Sequence, residues 1–292
     1  MKKRSLPAYG CLPLRPYLLG ERQGKGDLKL HEVESAIVGS REVVVYLPPG
    51  YSEKDNFNYP LALLQDGQNI FDPSTAVFGV DWGVDQTAER LIAEQKISPV
   101  ILVAVYNSPD RVIEYTPFAD PEHGGGGANM YAEFLIKELL PFLQSRYCLS
   151  HRPEDRAVIG SSLGGLLALH LGWTHPRVFG LVGSLSPSLW WARRGFITAV
   201  AAGDPPSPRP RIWIDGGTLE TEADDNDNGI PDLIDDLRTM RAVLLSQGYE
   251  LEKDLLYREI VGQTHDETAW SLRVGDVLSA LFPKRTQSWS GG

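Results

Sequence analysis

The chain has 292 residues, 42% of them apolar, enough to bury a sizeable core, and its apolar segments run evenly with no seam between two domains. Its 28 basic and 38 acidic residues give a formal charge of -10, which excludes a broad basic face for nucleic acid and disfavours polyphosphate ligands. The two cysteines, Cys11 and Cys148, are too few and too far apart for a disulfide framework or a Cys/His zinc site.

Met1-Lys2-Lys3-Arg4 has the charge of a secretory leader, but Pro7, Gly10, Pro13 and Pro16 break up the adjoining residues before an apolar segment forms. No run approaches the roughly 20 apolar residues that cross a bilayer, so a cytoplasmic protein without membrane contact is expected. Residues 1–25, rich in Pro, Gly and basic side chains, read as a surface arm, 26–285 as a single α/β domain and 286–292 as a flexible tail.

Along the chain, residues 29–34 and 41–47 read as two strands about a turn at Gly39. Pro48-Pro49-Gly50 ends the second, and 61–65 is a short buried strand. Aliphatic runs at 100–106, 157–160, 181–185, 211–215 and 251–261 then alternate with helical stretches at 84–95, 131–146, 163–173, 189–201, 231–247 and 268–282. Antiparallel strands followed by repeated βα units predict a mostly parallel central sheet with helices on both faces, and such sheets place their chemistry beyond the carboxyl ends of the strands. Gly124 to Gly127 reads as a flexible loop.

Gly160-Ser161-Ser162-Leu163-Gly164-Gly165 falls where a β-rich run meets a helical one, the context of a nucleophile elbow. Glycines two residues to either side of Ser162 remove Cβ atoms that would collide across the sharp turn, and Ser161 lacks that flanking. An ordinary Gly/Ser turn is the plainer alternative, which the position between strand and helix disfavours. A serine hydroxyl needs a base, and of the six histidines His265 alone follows the last predicted strand and precedes the final helix. His31, His123, His151, His170 and His175 lie elsewhere. The acid is expected on the loop after strand 211–215, with Glu220 chosen and Asp215 and Asp224 as alternatives. Oxyanion donors are expected from the N–H of Leu163 and, in Asp66-Gly67-Gln68-Asn69, of Gln68.

Pro48-Pro49-Gly50-Tyr51, the 64–71 segment, Arg111 with Glu114-Tyr115-Thr116-Pro117, the elbow, Ser186-Pro187-Ser188-Leu189-Trp190-Trp191, and His265-Asp266-Glu267 with Trp270 occur in this order. Together they resemble the family named Putative esterase, which contains enterochelin-type siderophore esterases, esterase D-like enzymes and feruloyl or acetyl xylan esterases. The likeness covers about residues 43–281, is nearest to the siderophore-esterase branch, and implies an α/β-hydrolase fold that cleaves carboxylic esters without a catalytic metal or cofactor. It assigns nucleophile to Ser162, base to His265 and oxyanion donors to Leu163 and Gln68, and leaves the third residue open. Unlike the full enterochelin esterases, this chain has no extra domain before the core, which leaves catecholate siderophores open as substrates. Arg111, Trp190 and Trp191 are candidates for a pocket wall, the tryptophans by stacking and Arg111 by holding a carboxylate or phenolate.

The segment 224–235 places oxygen-bearing side chains at Asp224, Asn226, Asn228, Asp232 and Asp235, with a glycine at Gly229 and the Ile230 carbonyl between them. This approximates a Ca²⁺ loop, so a structural Ca²⁺ is expected there; a helix start with acids facing its N-terminal dipole is the alternative. The expected partner is a small-molecule ester. Acyl transfer through the same Ser/His pair, and a non-catalytic binding protein of the same fold, are the competing readings.

Overall fold

The structure is a computed structural model in which residues 26–54 and 57–284 are described. The expected arm, the expected tail and Cys11 lie outside the described residues.

β1 (Asp27–Val33) and β2 (Arg41–Leu47) pair antiparallel about the turn at Gly39, and β3 (Leu61–Leu64) follows. Next come α1 (Val84–Ala93), β4 (Ile101–Val105), α2 (Arg111–Tyr115), the two-residue strands β5 (Ala119–Asp120) and β6 (Gly124–Gly125), α3 (Ala128–Phe134) and α4 (Leu140–Gln144). The second half alternates β7 (Arg156–Ser161), α5 (Leu163–Thr174), β8 (Leu181–Leu185), α6 (Trp191–Ala202), β9 (Arg211–Gly217), α7 (Asp232–Ser246), β10 (Leu255–Ile260) and α8 (Glu267–Leu281). One eight-stranded sheet has the order β1-β2-β4-β3-β7-β8-β9-β10. β2 runs antiparallel to β4, and every pairing from β4 through β10 is parallel.

The central strands are apolar on both faces because both faces are covered. Successive side chains alternate between two cores: Val43, Val45, Leu61, Leu63, Val103 and Val158 face one, and Val44, Tyr46, Ala62, Leu64, Leu102 and Ile159 the other. The first core is closed by α3, α5, α6 and α7 through Phe134, Leu166, Phe196 and Leu237; the second by α1 and α8 through Leu91, Val274 and Leu278. This is the α/β-hydrolase arrangement expected from the sequence, and it brings the carboxyl ends of β3, β7, β9 and β10 to one rim.

Local differences from expectation have local causes. The single helix expected over 131–146 is interrupted by a π-helical turn, Leu135–Leu139, ahead of Pro141. Proline has no N–H to continue the i→i−4 ladder, and the extra residue of a π turn absorbs the mismatch. β10 starts later than expected because the chain turns at Glu252 (φ 61°), where the Glu250 carbonyl accepts from the three following amides at 253–255. The Gly124–Gly125 segment, expected as a flexible loop, forms the short antiparallel pair with Ala119–Asp120.

His170 lies on α5, buried, with Nε2 2.9 Å from Asn129 Oδ1, and burial pushes its pKa down to about 4. The folded state therefore holds it neutral, whereas the unfolded chain gains a proton below about pH 6.5. Stability from this group is present above that pH and lost as pH falls through the window from 6.5 to 4, by at most about 3 kcal/mol. His31 and His175 are shifted in the same direction, also mainly by burial. Thermal melts across this window should show the midpoint falling with acid, and His170→Gln, which keeps an N–H donor for Asn129 and removes the charge, should flatten the slope.

Candidate active site

Ser162 sits between β7 and α5 with φ 55° and ψ −121°, a conformation that costs a non-glycine residue about 1–3 kcal/mol. It is held there from three sides. Its N–H donates to the Leu185 carbonyl (3.0 Å), and its own carbonyl accepts from Leu166 (3.1 Å) and Ser188 (3.0 Å). A Cβ on Gly160 would stand 2.6 Å from the Gly164 carbonyl, so the strand and helix backbones approach as closely as glycine permits. The Ser162 hydroxyl lies 3.2 Å from Ser188 Oγ and borders a cavity of about 600 Å³, within the range of small-molecule pockets.

His265 borders the same cavity from the loop between β10 and α8. Its Nδ1 is 2.8 Å from Glu220 Oε2, and its ring stands edge-on to Trp270 at 5.0 Å. Glu220, just beyond β9, has a fully buried carboxylate whose Oε1 accepts from Ser186 Oγ (2.6 Å) and from the Gly217 N–H. Of the three carboxylates weighed, Glu220 is the one at the imidazole. Asp215 instead accepts from Trp213 Nε1 (2.7 Å) and Arg273 Nη1 (2.8 Å), and Asp224 accepts amide hydrogens of Asn228 and Gly229 in its own loop. Among the described residues no hydrogen bond joins Ser162 to His265; the two meet across the cavity.

Arg273 escaped the sequence reading, and Ser186, present in the segment 186–191, was given no role. Arg273, on α8, is buried and reaches Asp215, Ser186 Oγ (3.2 Å) and Glu220 Oε1 (3.5 Å). Ser186 also accepts from Trp270 Nε1 (2.9 Å). Burial raises the Asp215 pKa to about 6, with Arg273 the main opposing influence. A buried serine and arginine carry no local sequence signal, because their role comes from strands and a helix far apart in the chain.

The loop after β3 is built around Asp66, itself at φ 55°, followed by a 3₁₀ turn over Gly67–Asn69. Gln68 lines the cavity, and Leu163 is the first residue of α5, where helix N–H groups have no intrahelical partner. Arg111 clamps this loop: its Nε and Nη2 lie 2.6 and 2.8 Å from the two Asp66 oxygens, while Asn107 Nδ2 adds a third contact at 2.6 Å. The fork expected to hold a substrate carboxylate is thus engaged by the protein itself. Trp190 and Trp191 are not among the residues lining the cavity. Trp191 is buried with Nε1 donating to the Phe118 carbonyl (2.8 Å), and Trp190 is exposed beside it. The apolar lining comes instead from Val77, Phe78 and Val80, and polar lining from Asp266, Glu267 and Thr268.

The 224–235 loop closes on its own hydrogen bonds. Asp235 Oδ2 accepts from the Asn226 and Asn228 amides at 2.9 and 2.7 Å, Asp232 Oδ1 accepts from Asp225 N–H, and the Ile230 N–H donates to Asn228 Oδ1. Among the described residues no group of three or more His, Cys, Asp or Glu is gathered to hold a metal ion, so the expected ligand set of Asp224, Asn226, Asn228, Ile230, Asp232 and Asp235 does not form a cage. The donors that compete for these oxygens are the side-chain and main-chain amides of the loop itself. No helix among the described residues is long and apolar enough to cross a membrane.

A family model described as Putative esterase matches residues 35–273. Among curated relatives, the uncharacterized protein YbbA of Bacillus subtilis is 28% identical over 174 residues, 57% of this chain and 62% of that one. The iron(III) enterobactin esterase of Escherichia coli is 27% identical over 242 residues, 78% of this chain and 52% of its own length. The chain thus spans about half to three fifths of these two relatives. Among solved structures, the enterobactin esterase from Shigella flexneri with enterobactin superposes with a TM-score of 0.69 at 22% identity, covering 92% of this chain and 62% of that one. An IroE-like serine hydrolase from Shewanella oneidensis gives 0.68 at 22%, covering 88% and 80%.

The buried Arg273–Asp215 pair yields a stability test. Removing one partner leaves the other charge uncompensated, so Arg273→Met is expected to cost about 3–5 kcal/mol in denaturant unfolding. Adding Asp215→Asn to that variant should recover part of the loss; a double variant no more stable than the single one would contradict the pairing.

Proposed function

The chain belongs to the Putative esterase family, and from that premise we propose that it is a serine carboxylic-ester hydrolase working through an acyl-enzyme. The observation that carries this is the shared cavity, which has Ser162 on one wall and His265, backed by Glu220, on another. With Nδ1 engaged by Glu220, the imidazole is set to carry its proton there and to offer Nε2 as base.

The Ser162 hydroxyl leaves Ser188 by a rotation about χ1, gives its proton to Nε2 and attacks the ester carbonyl. The carbonyl oxygen gains the charge and takes hydrogen bonds from the N–H groups of Leu163 and Gln68. The imidazolium then protonates the leaving alcohol, and water, activated by the same imidazole, releases the acid and restores the hydroxyl. Glu220 holds the imidazole in one tautomer and stabilises its charged form, while Ser186, Gly217 and Arg273 keep the carboxylate in place. None of these steps calls on a cofactor. Arg111 acts here through Asp66, fixing the loop that presents Gln68.

The substrate is a small ester that fits the cavity. The relatives' names bring two classes to the assay, siderophore esters and feruloyl esters. With p-nitrophenyl acetate, Ser162→Ala is expected to lower kcat by a factor on the order of 10⁴ or more, and Glu220→Gln by about 10²–10⁴. A burst of p-nitrophenol equal to the enzyme concentration reports the acyl-enzyme; Ser162→Ala retaining full hydrolysis overturns the proposal. Arg111→Met should lower kcat about 10- to 100-fold with KM little changed. A rise in KM alone would assign Arg111 to substrate binding instead.

A further inference from the structure

Glu267 opens α8 two residues after His265 and lines the cavity, yet only 6% of its surface is exposed. Its Oε1 accepts a hydrogen bond from Asn69 Nδ2 at 3.2 Å, and among the described residues it takes part in no ion pair. Burial raises its pKa and the charges of Asp266 and Asp66 act in the same sense, against the hydrogen bond from its own N–H and, more weakly, His265. A desolvated carboxyl with no cation in hydrogen-bond contact, the Arg111 guanidinium acting on it only at longer range, is costly to keep in a fold, and clefts are where such groups serve a ligand.

The rest of the cavity sharpens its sign. Asp66, Asp266 and Glu267 line it, against one permanent cation, Arg111, whose Nε and Nη2 are already taken by Asp66. Asp266 is likewise engaged, capping α8 through the Ala269 N–H (2.9 Å) and accepting from Thr264 Oγ1 (2.6 Å). Glu267 is therefore the acid left to meet a substrate. Val77, Phe78 and Val80, which line the same cavity, are 64%, 76% and 39% exposed and bring no charge of their own.

We infer that Glu267 makes this cavity selective by charge: esters bearing a cationic or hydrogen-bond-donating group near the scissile bond are accepted, and esters bearing a carboxylate there are rejected. The inference rests on the hydrolase reading of Ser162 and deepens it by naming the substrate class. A low-dielectric wall strengthens attraction to an ammonium and repulsion of a carboxylate alike, so discrimination comes from both ends of the series.

Three p-nitrophenyl esters separate the outcomes: butyrate, 4-(trimethylammonio)butyrate and hemisuccinate, each corrected for its enzyme-free rate because the succinate carboxylate attacks its own ester, and assayed at about pH 8, above the usual carboxylate range. The wild-type kcat/KM is expected to be at least about tenfold higher for the cationic ester than for the anionic one, with the neutral ester between them. Glu267→Gln, which can still hydrogen-bond to Asn69, should shrink the cation-to-anion ratio about tenfold. The ratio is the readout, since a variant that is merely less well folded lowers all three rates together. Hemisuccinate turned over as fast as butyrate by the wild-type enzyme overturns the inference whether or not the variant folds, as does an unchanged ratio in a folded variant. Failure to hydrolyse any of the three would instead strike at the hydrolase reading.

Discussion

The contact between the backbones of Gly160 and Gly164 is the constraint on which the site depends. With no side chain on either residue, β7 passes into α5 across a single residue, and that residue, Ser162, is forced to a positive φ. Such a turn survives only where its surroundings over-determine it. Here they are the fully buried strands β3, β7 and β8, the hydrogen bond from Ser162 to the Leu185 carbonyl and those from the Leu166 and Ser188 N–H groups. The strain lifts the hydroxyl out of the sheet and leaves the first N–H of α5 free at the same spot.

The base side is organised by one helix. Asp266, Trp270 and Arg273 recur at intervals of four and three along the start of α8, so they share a face. Asp266 caps the helix, Trp270 packs against the imidazole and binds Ser186, and Arg273 steadies Ser186, Glu220 and Asp215. A single rigid element thus fixes the position of His265 and of the carboxylate behind it. The Asp66–Arg111 pair does the same for the Gly67–Asn69 turn that borders the cavity.

The alternation of aliphatic runs with helical stretches made the sheet and its order of chemistry legible, because parallel strands covered on both faces are nearly pure Val, Leu and Ile. The elbow was legible for a related reason: the glycines that permit the close crossing appear in the sequence as a fixed spacing around Ser162. Chain order pointed to the loop after β9 but left Asp215 and Asp224 beside Glu220, and only the fold shows which carboxylate meets the imidazole. Less was visible where the deciding partner lay far away. Nothing local marks Arg111 as engaged by Asp66, 45 residues earlier. The Trp190-Trp191 pair reads the same whether it faces a cavity or, as Trp191 does, the Phe118 carbonyl. The acidic loop is the complementary case, since spacing suggested a cation while the amides of Asn226 and Asn228 both bond Asp235 Oδ2, one of the oxygens expected to hold it.

The sheet order places Ser162 and His265 on unequal ground. Ser162 rises from β7, which has β3 and β8 as neighbours, whereas His265 follows β10, the outermost strand, bonded to β9 alone. Marginal strands open at lower free energy than interior ones. The β10 side of the sheet is therefore expected to loosen before the β7 side, leaving α8 as the element that keeps the imidazole in register with a serine mounted in the interior.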